Sequence, residues 1–395
     1  MKKFLYAYIV VISTVLFTAC GGSNSSNNSG SLPAGPQAFT LEEKQFVHSL
    51  FTTEYLWFDE VASDINYDLY ATPQYLVDGL KAPQDQWSFA ITAQEYENVV
   101  NQETAGFGFR YNLDMVISSV RINSPAYMNL SRGDKILLIN GQEANYNTIA
   151  SAGQNLNTPS TFTVLRAGQQ LDISVTPRTY HYAVTLGKVF PSGVGYMRYD
   201  EFTGSSVQEF ENEFSKFKNA GIHDLVIDLR YNSGGSVDVA STLLDNITNR
   251  FPGQRQAYLD WNVNYKNKNA DYYFSSEIEA NDLDMTRVVF LTTANTASAS
   301  EMVISALKPY LGAANVITVG SATHGKPVGM EGRSYGSNYY FLINFYVRNN
   351  MGETTSFNGI AVTCSAPDDL SHQLGDPEEA MLKSALNYIS TGSCL

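Results

Sequence analysis

From His181 onward the chain repeats one pattern: a short apolar run, a joint of small residues, then an amphipathic stretch. "GVGYMRYDEF" leads to "SVQEFENEFSKFKNAG", "DLVIDLR" to "SVDVASTLLDNI", and "RVVFLT" to "SEMVISALKPY", with "NVITVG" and the long alternating "SNYYFLINFYVRN" after them. Apolar runs without alternation suit strands covered on both faces, and amphipathic stretches between them suit helices that cross from strand to strand. This predicts an α/β unit over residues 181–395 with helices crossing a central sheet. Gly221 should end the first of those helices. The last helix, from "DPEEAMLKSALNYI", should carry its acidic residues in the first turn, where the helix dipole favours them.

Three joints in this half are unusually rich in glycine, serine and threonine: "DLRYNSGGS" (Asp228 to Ser236), "TANTASASEM" (Thr293 to Met302) and "GSATHGKP" (Gly320 to Pro327). Glycines let backbone approach a ligand and offer free amides, and strand ends are where open α/β sheets bind ligands. Lys326, between Gly325 and Pro327, is the sharp residue; burial would lower its pKa and let it accept a proton. A serine hydroxyl needs such a base to become a nucleophile, and Ser298 sits where a helix begins. Spacing alone also allows a plainer reading, since Ser298 and Glu301 fit the S-x-x-E capping box. The GxxxxGK[ST] spacing of a phosphate-binding loop is absent, so GK here does not point to nucleotides.

Taken in order, these stretches resemble the carboxyl-terminal processing proteases of peptidase family S41: Asp228-Leu229-Arg230-Tyr231-Asn232-Ser233-Gly234-Gly235, then Thr296-Ala297-Ser298-Ala299-Ser300-Glu301, then Thr323-His324-Gly325-Lys326. The resemblance implies a ClpP/crotonase-like protease core with a mixed central sheet. It implies Ser298 as nucleophile, Ser300 as a neighbour, Lys326 as general base, and the amides of Gly235 and Ala299 as the oxyanion hole. It implies protein or peptide substrates and no cofactor. Two departures stand out. Met330 occupies the position, four after the lysine, where many members place a glutamine that steadies the base, and Ser298 to Lys326 spans a few more residues than usual. His324 is the rival base, at a position that varies in the family. A binding lipoprotein that captures peptide tails or apolar ligands on the same fold, weak or inactive as an enzyme, is the alternative that Met330 favours.

The part before His181 has two characters. "TLEEKQFVHSLFTTEYLWFDEV" opens with a capping pattern and helical spacing, and the segment 39–91 runs on through "YLVDGL" to "DQWSFAIT". "EYLWFDE" and "DQWSFAI" match the family's helical N-terminal segment. Residues 92–180 alternate apolar and polar residues between turns, as antiparallel strands do. This stretch resembles a PDZ domain, with Gly106-Phe107-Gly108-Phe109 as the carboxylate-binding loop, and Pro125-Ala126 and Gly133-Asp134 fitting the middle of that domain. The resemblance implies that a substrate's apolar C-terminal tail adds as a strand. A small β-barrel that only packs is the plainer reading. The fold class expected is therefore multidomain α/β: a small helical N-terminal segment, a PDZ-like β domain and the α/β core.

"MKKFLYAYIVVISTVLFTAC" has two lysines, an apolar run too short for a membrane span and small residues before Cys20. It resembles a bacterial lipoprotein signal (residues 1–19) with Cys20 lipidated; an ordinary signal peptide with a chance cysteine is the alternative. Gly21 rather than Asp after the cysteine implies, by that resemblance, an anchor in the outer membrane facing the periplasm. Residues 20–38, rich in Gly, Ser and Asn, read as a flexible tether. Beyond Cys20 only Cys364 and Cys394 remain, most simply one disulfide in an oxidising envelope compartment. With no Cys/His cluster a metal site has no support, and a net charge of −14 argues against nucleic acid, whose phosphates it would repel.

Overall fold

The computed structural model describes residues 39–395. Residues 1–38, which hold Cys20 and the expected signal and tether, lie outside the described residues. None of the described helices is long and apolar enough to cross a membrane.

The central sheet has six strands in the order Thr185–Val189, Val194–Tyr199, Asp224–Asp228, Val288–Thr292, Val316–Gly320 and Cys364–Ser365. The first pair is antiparallel and the rest are parallel, which makes the sheet mixed. Its middle strands are buried along their whole length, because successive side chains feed opposite layers. Leu225, Ile227, Val288 and Phe290 face the large core under helices Ser206–Ala220, Val237–Ile247 and Ala299–Leu311. Val226, Val289, Leu291 and Ile317 face the helix Ala380–Thr391 through Met381, Leu382 and Ala385. Helix Ser206–Ala220 ends where expected, at Gly221, whose φ of 62° is the left-handed turn that glycine takes without strain.

The last helix departs from expectation. It starts only at Ala380, so its first turn holds no acid; Glu379 caps it from extended backbone, accepting from the Leu382 N–H. The same carboxylate receives both terminal nitrogens of Arg230 at 2.8 and 2.9 Å, which pins residue 379 outside the helix. Cys364, in the edge strand, is joined to Cys394 beyond this helix by a disulfide 30 residues apart. Closing such a loop stabilises by roughly 3–4 kcal/mol in the chain-entropy model.

A second sheet lies on the far side of helix Ala299–Leu311. Its long central strand Asn338–Asn349 pairs with Val328–Tyr335, Arg255–Trp261 and Phe89–Thr92, and Ala270–Tyr273 adds an edge. The N-terminal segment is built into this layer. Thr40 caps helix Leu41–Thr53, whose Val47, Leu50 and Phe51 enter the main core, and Phe89 pairs with Phe341. Thr72 caps the second helix, Pro73–Leu80, with proline at its first turn.

Residues 103–181 form strands with a separate apolar core around Phe107, Ile117, Ile136, Phe162 and Val164. The predicted Asn-Gly turn is present: Asn140 and Gly141 have φ of 52° and 77°, the pair of positive values a tight hairpin requires. Gly106 (φ 117°) and Gly108 (φ 85°) shape the Gly106–Phe109 loop, whose Phe107 ring turns inward against Phe162. A helix at Tyr146–Gln154, capped by Asn145, was not foreseen among these strands. Arg132 binds this unit to the core through Tyr231 Oη (2.6 Å), the carbonyl of His372 (3.0 Å) and the Asp368 carboxylate.

Candidate active site

The three small-residue joints meet at one end of the central sheet. Strand Asp224–Asp228 leads into the glycine loop and Val288–Thr292 into the serine loop; Val316–Gly320 leads into the lysine loop. Parallel neighbours place these exits side by side, and hydrogen bonds weld the first two loops together. Thr296 Oγ1 donates to the Leu229 carbonyl (2.8 Å), the Ala297 N–H to Asn232 O (3.1 Å), and Thr293 Oγ1 to Arg230 O. Below them Arg230, 1% exposed, bonds Asp228, Asp368 and Glu379. Removing so charged a group from water is costly unless every donor is met, and here three carboxylates meet it.

Ser298 stands at the head of helix Ala299–Leu311 with φ 57° and ψ −116°. That is not an ordinary cap. Thr40, Thr72, Thr92 and Ser236 cap their helices from extended backbone, as N-caps do. A non-glycine residue in such a region is strained by about 1–3 kcal/mol, and such strain gathers where a side chain must be presented. Gly234 explains how the turn fits: a Cβ there would lie 2.8 Å from Ser298 Cβ and 2.9 Å from Ala297 O. Ser300, by contrast, is fully buried and gives its hydroxyl to Asn232 O (3.2 Å).

The Ala299 N–H follows Ser298 and the Gly235 N–H follows Gly234, which packs on Ser298, and neither has an acceptor among the described residues. Gly235 is pressed against Phe202, whose carbonyl would sit 2.3 Å from any Cβ there. Both N–H groups are therefore left without an acceptor of their own in the loops around this serine.

Lys326 is 2% exposed, and its Nζ has no hydrogen-bond partner among the described residues. It lines a small cleft together with Ser298, Ala257, Met302, Val347 and Arg348. Burial pushes its pKa down to about 8, while the negative charges of Asp85 and then Glu301 pull the other way. His324 is elsewhere: its ring meets Trp87 Nε1 (3.2 Å) and Ala294 O (3.3 Å), outside the lining of the cleft. Met330 is buried opposite Ile343 in the second sheet and offers Lys326 no polar group.

Glu301 takes over the task of holding the lysine loop. Its fully buried carboxylate accepts from the Ser298 N–H (2.9 Å) and the Lys326 N–H (2.8 Å) on one oxygen. The other oxygen accepts from the Gly325 N–H (2.8 Å) and Thr323 Oγ1 (2.6 Å). The S-x-x-E spacing was legible, but a cap explained it fully; what the spacing could not show is that the same carboxylate reaches the Lys326 loop. The long Ser298-to-Lys326 interval is taken up by helix Ala299–Leu311, which continues through Pro309, and a short turn after it.

Comparison with known proteins places this arrangement. Residues 193–364 match the model of peptidase family S41, and residues 42–89 match that of the peptidase S41 N-terminal domain; together they span more than half of the chain. The chain belongs to peptidase family S41. Residues 92–180 lie between the two matches. A putative S41 protease from Bacteroides fragilis has the same fold, with a TM-score of 0.77 at 23% identity over 88% of this chain and 97% of that one. The photosystem II D1 C-terminal processing protease aligns at a TM-score of 0.50 and 14% identity, over 82% of this chain and 94% of that one. Among curated sequences, the carboxy-terminal-processing protease of Bartonella bacilliformis is 25% identical over 243 residues, 58% of this chain and 54% of the relative. The chain thus spans about half the length of the curated relatives it matches.

Proposed function

We propose that this S41 protein is a serine endopeptidase in which Ser298 is the nucleophile and Lys326 the general base. The observation that carries the reading is the buried, unpartnered Nζ of Lys326 in the cleft that Ser298 lines. Ser298 Oγ attacks the scissile carbonyl carbon while Lys326 takes its proton, and the carbonyl oxygen, now negative, is held by the amides of Gly235 and Ala299. Each such donor is worth roughly 3–4 kcal/mol in comparable enzymes. The C–N bond then breaks, and Lys326 returns the proton to the departing amine. A water deprotonated by Lys326 attacks the acyl ester and frees Ser298.

A fluorophosphonate probe tests this directly: mass mapping should place the label on Ser298. Labelling of another residue, or none, would support the binding-only alternative that Met330 favours. The pH dependence follows from the lowered pKa of Lys326. Only the neutral amine is a base, so labelling should rise with pH through about 8 and level off above it. The same group weighs against folding near neutrality: the unfolded chain binds the proton more tightly, and the penalty fades as pH climbs from about 8 toward the ordinary 10.5. A labelling rate flat between about pH 6 and pH 10, roughly two units either side of such a pKa, would exclude Lys326 as base.

Within this reading residues 92–180 are a PDZ-like domain that receives apolar C-terminal tails of protein substrates on the Gly106–Phe109 loop. The chain is proposed to be anchored to the bacterial envelope through a lipid on Cys20, facing the periplasm. The "KK" and apolar run before Cys20 support this. Cys20→Ser should then move the protein from the membrane fraction to the soluble one; wild-type protein already wholly soluble would refute the anchor.

A further inference from the structure

Lys326 is not the only isolated charge in this region. Asp85, 5% exposed, lies in the turn after helix Pro73–Leu80 and has four hydrogen bonds but no ion pair among the described residues. Its Oδ1 accepts from the N–H groups of Trp87 (2.8 Å) and Ser88 (2.9 Å), its Oδ2 from Tyr55 Oη (2.7 Å) and Ser88 Oγ (2.5 Å). Both hydroxyls are themselves tied down: Tyr55 Oη accepts from the Ala82 N–H and Ser88 Oγ from the Ile343 N–H. The carboxylate is therefore locked in place between the N-terminal segment and the central strand of the second sheet. Its turn abuts the lysine loop, where Trp87 Nε1–H donates to His324 two residues before Lys326.

A buried carboxylate without a cation and a buried lysine without a partner, on touching turns, each carry a desolvation cost that a nearby opposite charge reduces. Among the charges acting on Lys326 that of Asp85 is the largest, ahead of Glu301, whose oxygens are directed at backbone amides and Thr323. We infer that Asp85, supplied by the N-terminal segment, is the positioning residue for Lys326: its fixed negative charge favours the ammonium formed when Lys326 takes the proton of Ser298. This rests on the serine–lysine reading and fills, from another part of the chain, the vacancy left by Met330.

The test is the rate of fluorophosphonate labelling of the full chain as a function of pH. Asp85→Asn preserves shape and removes only charge. Without that charge the lysine releases its proton more easily, so the rising limb should move to lower pH by about half a unit or more. The plateau rate should fall about tenfold, because the ammonium is less favoured in the transition state. Asp85→Glu should recover part of the limb position. A purely structural role would lower the plateau and leave the limb where it is, and that result would overturn the inference. Should Asp85→Asn not fold by circular dichroism, Tyr55→Phe and Ser88→Ala take its place. Each strips one hydroxyl dipole from a carboxylate that stays charged, strengthens its field at Lys326 and should move the limb upward; an unmoved limb in both overturns the inference equally. Failure of the underlying reading has a different signature. Wild-type protein unlabelled at Ser298, or Lys326→Ala labelled as fast as wild type, removes the dyad itself and the inference with it.

Discussion

Ser298→Ala is expected to lower proteolysis of a test protein with an apolar C-terminus by a factor on the order of 10⁴ to 10⁶, with the fold intact by circular dichroism. Lys326→Ala should lose about as much, and the double variant little more, because nucleophile and base act in one step and their losses do not add. Ser300→Ala serves as the control. Its hydroxyl is spent on Asn232 O, so activity should survive with a stability loss of about 1 kcal/mol. An active, folded Ser298→Ala chain would end the proposal, since the capping role alone predicts a change in stability and none in rate.

The second large effect is on stability. Arg230→Ala should destabilise by about 3–5 kcal/mol, because it leaves Asp228 and Glu379 buried without their shared cation. Arg230→Lys should recover little, since one ammonium cannot reproduce bonds to Asp228 through Nε and to both oxygens of Glu379 through the two terminal nitrogens. Urea unfolding, with its slope checked for two-state behaviour, measures both. A loss below about 1 kcal/mol for Arg230→Ala would mean that the network adds no more than an ordinary exposed pair.

Local chemistry made much of this legible. Val288–Thr292 reads as a covered strand because its apolar run does not alternate, and all five positions are buried; Gly221 reads as a helix end because glycine takes the left-handed φ found there. Arg255–Trp261 and Ala270–Tyr273 escaped notice because their polar and aromatic residues carry no run of apolar ones. The last helix was mis-started for a related reason: local propensity places acids in the first turn, but Arg230, far away in sequence, claims Glu379. The site shows the same division. Ser298, Gly235 and Lys326 are announced by small residues at strand ends. The bonds of Glu301 to the Lys326 loop and the proposed role of Asp85 are not, since Lys326 lies 25 and 241 positions away from them and no spacing rule reaches that far.

The pairing of Phe89–Thr92 with Asn338–Asn349 bears on the order in which the molecule can come into being. The N-terminal segment completes its contacts only with a strand far along the chain: Tyr340 Oη donates to Glu43 across 297 positions at 2.6 Å. Contacts so distant in sequence form late and slowly. Until Asn338–Asn349 has docked, Asp85 lacks the wall behind it and Ser88 lacks the Ile343 N–H. The lysine loop thus gains its N-terminal neighbour only after two parts of the chain far apart in sequence have met.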